Sequence, residues 1–317
     1  MKQITLEIIQ KCSNKCLHCS SLASPNCTLR METEKAKEVI DGAVKLHTEI
    51  LSISGGEPFL HPRLREIVGY AKGKGLAVYV YTCGVVLDNA GRPGDIPEGI
   101  LCNLPADKII FDIPAVDEDI YNKFMGSVGQ QKFAFESIWT AQRVGLCTEI
   151  HFVPTKINIG EADSIIRFAL KHGIRRVSFL GLVPHGRALQ NRELLELSYA
   201  ETQTLKERLG QLQSQQVRVG IPLQIEDGSR CCYAGTDKLS IRYDGFVFGC
   251  EAFKYIHMYD RQGQAVRPDS IYERPLEKIY ANSDFLKLEQ AFVAQYLQSP
   301  GCGEKCPVQR MFRAAQS

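Results

Sequence analysis

The sequence predicts an α/β protein built on a parallel sheet, followed by a smaller α+β appendage. Three observations carry this. Short runs rich in β-branched residues recur between helix-like segments, and they read as strands buried on both faces, the mark of a parallel sheet. Glycines fall just past the helical segments, where a left-handed cap is needed. After residue 189 the alternation stops and the composition changes.

The elements follow in order. Six strands are expected at residues 4–9, 50–53, 77–81, 108–113, 148–153 and 175–180. Between them, residues 34–47, 63–74, 133–144 and 161–172 carry apolar side chains at helical spacing, and Gly75, Gly145 and Gly173 lie just past three of these runs. Residues 117–125 offer a short further helix. The stretch 83–105, with Gly84, Gly91, Pro93, Gly94, Pro97 and Gly99, breaks the rhythm and reads as an inserted loop. Beyond it, residues 194–215 form a glutamine-rich helical region and 217–225 a strand. Residues 239–242 and 246–248 flank Tyr243-Asp244-Gly245, a hairpin signal, and 284–297 is a last helix. The expected division is a first domain over 1–190 and a second over 191–317.

With 317 residues, 44% hydrophobic and 23% charged, the chain is long enough for a large core. Its net charge is +2 and no lysine or arginine cluster stands out, so no electrostatic footprint for nucleic acid or an anionic membrane is expected. No apolar run approaches the roughly 20 residues that span a bilayer. The opening MKQITLEIIQKCSNKC holds Glu7 and lacks a small-residue cleavage site, so a cytoplasmic location is expected. Twelve cysteines are many for a reducing compartment, which points to metal ligation or thiol chemistry rather than a disulfide framework.

Three of them, Cys12, Cys16 and Cys19, form C-x3-C-x2-C in the loop after the first strand. Three thiolates on one loop can hold three corners of a [4Fe–4S] cluster and leave one iron open, the feature that separates catalytic from structural metal sites. Zinc with His18 or Cys27 as fourth ligand, or a thiol group without metal, are the competing readings. A second element, Ser54-Gly55-Gly56-Glu57-Pro58, follows the next strand. Its glycines let backbone approach a ligand, and strand-end carbonyls accept hydrogen bonds from an ammonium group.

In this order and separation, CSNKCLHC and SGGEP resemble the radical S-adenosylmethionine enzymes. The resemblance implies a partial (β/α)6 TIM-like barrel over about residues 3–182. It implies a [4Fe–4S] cluster on Cys12, Cys16 and Cys19 whose open iron chelates S-adenosylmethionine, with the Gly55-Gly56-Glu57 backbone at the cofactor's amino group. Reductive cleavage would give a 5′-deoxyadenosyl radical that abstracts hydrogen from the substrate, with flavodoxin or ferredoxin as electron donor. His18 stands where the family usually has an aromatic residue, and Cys83, near the expected pocket mouth, where it often has asparagine. Asp112 is a candidate ribose contact. Asn158 is a candidate cofactor contact or turn residue, and Arg187, in FLGLVPHGRAL, would pair with the cofactor carboxylate or an acidic residue.

CCYAGTDKLSIRYDGFVFGC resembles the start of the auxiliary-cluster region called SPASM or, when shortened, twitch. SPASM proper carries seven cysteines, whereas Cys231, Cys232, Cys250, Cys302 and Cys306 make five here, which suits a twitch-like single auxiliary [4Fe–4S] cluster. Cys232, Cys250, Cys302 and Cys306 are taken as its ligands. Either member of the pair fits the spacing, and Cys231 is then a structural neighbour or a thiol that donates hydrogen to a substrate radical. Zinc on the same four cysteines is the competing metal. The first strand begins almost at once, so no peptide-recognition domain is expected before it. The favoured function is modification of a peptide or protein by crosslinking, epimerisation or oxidation. Dehydrogenation of a small alcohol or sugar-like molecule is the alternative, and a non-enzymatic Fe–S or zinc binding module the reading of another class.

Overall fold

Each of the six expected strands forms, and a strict alternation of side chains governs all of them. The computed structural model describes residues 1–183, 185–212, 218–220, 234–298 and 306–308. In it β1 (Gln3–Glu7), β2 (Ile50–Ser54), β3 (Ala77–Thr82), β4 (Lys108–Asp112), β5 (Thr148–Phe152) and β6 (Arg176–Phe179) lie side by side in chain order, every pair parallel. The connecting helices are α1 (Thr33–Lys45), α2 (Leu64–Gly73), α3 (Glu118–Met125), α4 (Gln131–Arg143) and α5 (Ala162–Lys171). The Asp117 carboxylate accepts from the Ile120 N–H at 3.0 Å and starts α3, and Gly126 closes it in the left-handed region. The expected inserted loop holds a short ladder, Val86–Leu87 with Pro93–Gly94, and a helical turn, Glu98–Leu101.

Most of the strands are buried on both faces, as expected, and the two faces differ in polarity. Leu6, Ile53, Val80, Phe111, Phe152 and Phe179 are fully buried beside the helices. By register the other face carries Thr5, Ser52, Tyr79 and Lys108 in one row, and Asp112 opposite His151. One face therefore builds the core and the other lines a polar interior. In the first three runs Thr5, Ser52 and Tyr79 each sit between two aliphatic residues, which made those runs look uniformly apolar.

Residues beyond 190 contribute strands to this same sheet. The hairpin forms where expected, as β8 (Lys238–Ile241) and β9 (Val247–Phe248), with Gly245 at φ +88°. It does not stand apart, because β8 pairs in parallel with β1 and extends the same sheet. At the other edge β7 (Arg218–Gly220), within the expected 217–225 strand, pairs with β6. An uncovered β1 would expose a row of unpaired backbone groups, and the C-terminal segment supplies the missing partner. Lys254 and Glu7, both almost wholly buried, form an ion pair that ties this segment to β1. Removing either partner would strand the other charge at a cost of about 3–5 kcal/mol. A smaller apolar cluster of Phe248, Phe253, Phe285, Val293 and Val308 packs beside it, with Cys250 and Cys306 on its border. Among the described residues no helix is long and apolar enough to cross a membrane.

Candidate active site

Cys12, Cys16 and Cys19 line one cavity of about 540 Å3 together with Ser54, Gly55 and Gly56. Their loop is irregular, so its backbone groups must find partners elsewhere. The Cys12 N–H donates to Ser24 O at 3.1 Å, while Lys15 N–H and Leu17 N–H donate to Met125 O and Phe124 O at the end of α3, at 3.1 and 2.9 Å. From the third side Arg187 donates through Nε to Cys16 O and through Nη2 to Ala23 O, both at 2.7 Å.

The glycine turn after β2 braces the same loop. Gly56 N–H donates to Ile9 O at 2.6 Å and Glu57 N–H to Lys11 O at 2.8 Å. A Cβ on Gly56 would lie 2.2 Å from Lys11 O, so only glycine allows this approach. Gly56→Ala is expected to destabilise the protein by about 1–3 kcal/mol and to lower its iron content, read by urea unfolding and iron assay. Unchanged values in both would show that the two loops need not touch.

Burial, then repulsion from Cys19 and Asp112, pushes the Cys16 thiol well above the ordinary range, with Arg187 opposing. Packed thiols that resist ionisation suit a bound cationic metal group, which stabilises thiolates in place of protons. Three thiols from one loop at one cavity are a donor set that a [4Fe–4S] cluster would accept, since a cubane takes each thiolate at a separate iron. His18 stacks on Phe124 with ring centroids 4.6 Å apart and its Nε2 lies 3.3 Å from Asp112 Oδ2. Cys27 is engaged elsewhere, 3.3 Å from Ser24 Oγ.

The side chains of Glu57, Asn158 and Arg187 are engaged within the protein. The Glu57 carboxylate is buried and receives Thr82 Oγ1–H, the Cys83 N–H and the Cys83 thiol at 2.8, 2.8 and 3.0 Å, so it orders the end of β3. Asn158 uses its whole side-chain capacity within loops: Oδ1 accepts from Thr155 N–H and Oγ1–H, and Nδ2 donates to Pro114 O and Val153 O. It is the turn residue of its two expected roles. Arg187 is buried and holds the cysteine loop instead of an acidic partner. Asp112, Gly55 and Gly56 do line the cavity, as does Cys83. Cys231, Cys232 and Cys302 lie outside the described residues. The Cys250 thiol is pushed well up by burial and then by Glu251, and its charge and that of Cys306 are close enough to interact.

A polar part of the cavity lining was missed at the level of sequence. Thr5, Glu7, Tyr81, His151, Lys238, Glu251 and Lys254 all line it. The signal was present as polar residues at alternate positions in QITLE, TEIHF and KLSI. His151 stays neutral, its pKa lowered from 6.5 to about 4 chiefly by burial, although Asp112 and Glu149 pull the other way. The unfolded chain takes up this proton near pH 6.5 and the folded one resists it until about 4. Stability should therefore fall as pH drops through that window, and His151→Gln should flatten the fall in urea titrations run between pH 7 and 4.

Residues 6–197 match the Radical SAM superfamily. The PqqA peptide cyclase of Granulibacter bethesdensis is 25% identical over 211 residues, 64% of this chain and 55% of that protein, so the match spans little more than half of the cyclase. The AdoMet-dependent heme synthase of Methanosarcina barkeri is 23% identical over 309 residues, 90% of this chain and 83% of that one. Among solved structures, Streptococcus suis SuiB bound to S-adenosylmethionine aligns with a TM-score of 0.75 at 14% identity, covering 98% of this chain and 74% of SuiB, a likeness of fold. SuiB has also been solved with its precursor peptide SuiA. The matched region takes in the cysteine loop, the glycine turn, the end of β1 and the five parallel strands that follow it and is more than half of the chain, which belongs to the radical SAM superfamily.

Proposed function

We propose that the protein modifies a peptide or protein substrate by radical chemistry. The observation that carries this reading is one cavity lined by three cysteines and the glycine turn together with polar side chains from β1, β3, β5 and β8. Cys12, Cys16 and Cys19 would hold a [4Fe–4S] cluster, and S-adenosylmethionine would lie against Gly55 and Gly56, near Asp112. When bound, cluster and cofactor together supply one-electron cleavage to a 5′-deoxyadenosyl radical. The chain's own residues fix the cysteine loop from three sides. Cys250 and Cys306, with Cys302 and one of Cys231 and Cys232, would hold a second cluster within a C-terminal unit beginning near residue 191, and flavodoxin or ferredoxin would deliver the electron.

Peptide-acting relatives support the substrate class, since the cyclase carries a peptide in its name and SuiB binds a precursor peptide. A small-molecule substrate is the second reading, favoured by the heme synthase match over 90% of the chain. The deciding experiment is anaerobic reconstitution with dithionite and S-adenosylmethionine, with and without peptides encoded by small reading frames beside the gene. Formation of 5′-deoxyadenosine with a mass change in a peptide supports the proposal. Cleavage that only small molecules stimulate supports the second reading, and no 5′-deoxyadenosine at all would return the protein to a binding module.

A further inference from the structure

The polar wall of the cavity holds a cation that the reading above does not use. Lys238 begins β8 opposite Gln3 of β1, and its side chain is 33% exposed while lining the cavity. Its Nζ lies 2.8 Å from Glu251 Oε2, and Thr5 Oγ1–H donates to Glu251 Oε1 at 2.6 Å. Both oxygens of Glu251 are thus committed, and burial, which alone would raise this carboxyl, is outweighed by Lys238, so that it is held down to about 2. The ammonium carries three N–H groups and, among the described residues, spends one on Glu251. Lys254 differs: its side chain is 2% exposed and is taken up by Glu7 and Ser21.

We propose that Lys238, fixed by Glu251, anchors an uncharged oxygen of the substrate, in the first instance the carbonyl of a peptide amide. The pair is electrically neutral, so a carbonyl or hydroxyl dipole accepts a hydrogen bond from the ammonium and leaves both charges compensated. A carboxylate would bring an uncompensated negative charge beside Glu251 into a cavity that already holds Asp112. An apolar group would strip water from the ammonium and return nothing. Tyr81 and the neutral His151 line the same wall, which makes it polar without net charge. The segment after residue 233 then contributes a substrate contact as well as a strand.

This inference rests on the peptide reading of the cavity, and its test separates the two. Crystals of the reconstituted full chain are soaked separately in N-methylacetamide, glycerol and sodium acetate. The expected result is N-methylacetamide with its carbonyl oxygen on Lys238 Nζ, lost in Lys238→Met. Because that variant leaves Glu251 unpaired, the double variant K238M/E251Q, which removes both charges, is soaked alongside. Glycerol at Lys238 without the amide keeps the anchor and assigns it to a polyol. Acetate in preference to both, no probe at Lys238, or amide binding unchanged in the double variant overturns the inference. Iron content and 5′-deoxyadenosine formation are measured on the same wild-type batch. Absent 5′-deoxyadenosine sinks the radical reading itself, whereas its formation with no amide at Lys238 sinks this inference alone.

Discussion

Cys16→Ser is expected to lose about four irons per chain and to reduce 5′-deoxyadenosine formation to background, with the fold intact by circular dichroism. Cys16 is buried, and its backbone carbonyl is fixed by Arg187. Serine fills nearly the same volume, so the change removes a ligand without opening a large cavity. Serine's hydroxyl remains protonated at neutral pH and is a poor partner for iron compared with a thiolate. Cys102→Ser, at an exposed surface position, is the control and should keep the full iron content. A Cys16→Ser protein that retains all of its iron would remove the first cysteine group from the site.

Arg187→Met is expected to cost about 3 kcal/mol or more in unfolding free energy and to lower iron retention. The side chain joins two carbonyls of the cysteine loop, Cys16 O and Ala23 O, that are seven residues apart in the chain. Hydrogen bonds from a charged donor are worth about 1.5–3 kcal/mol each, and their loss leaves two buried acceptors without partners. Methionine keeps much of the apolar volume, so the effect reports the guanidinium. Arg187→Lys should not restore iron retention, because one ammonium cannot reproduce a planar fork that reaches two acceptors. If lysine rescues both stability and iron, charge rather than geometry is what the loop requires. Urea titration of the apo chains and iron assay after gel filtration give the two readouts.

These two residues mark how far the sequence is informative. Cys16 was legible because metal chemistry restricts residue type and spacing together: three thiols within eight residues admit few explanations. Arg187 was legible as a residue of interest but not in its role. Its partners are backbone carbonyls, which every residue has, so no residue type marks them. Asn158 differs, since a turn role was among its expected ones and its four side-chain hydrogen bonds go to Thr155, Pro114 and Val153.

The sequence by itself determined the α/β class, the order of six strands with their helices, the C-terminal hairpin and the cysteine loop. Each rests on local physics: side-chain period, capping glycines, a turn that needs positive φ, and ligand spacing along a few residues. Only the tertiary structure decided that the hairpin strand completes the sheet beside β1, that polar residues of several strands line one cavity, and that Lys238, Glu251 and Lys254 face residues more than 200 positions earlier. Such pairings depend on which edges and charges remain unsatisfied once the whole chain has folded, and no window of sequence contains both partners.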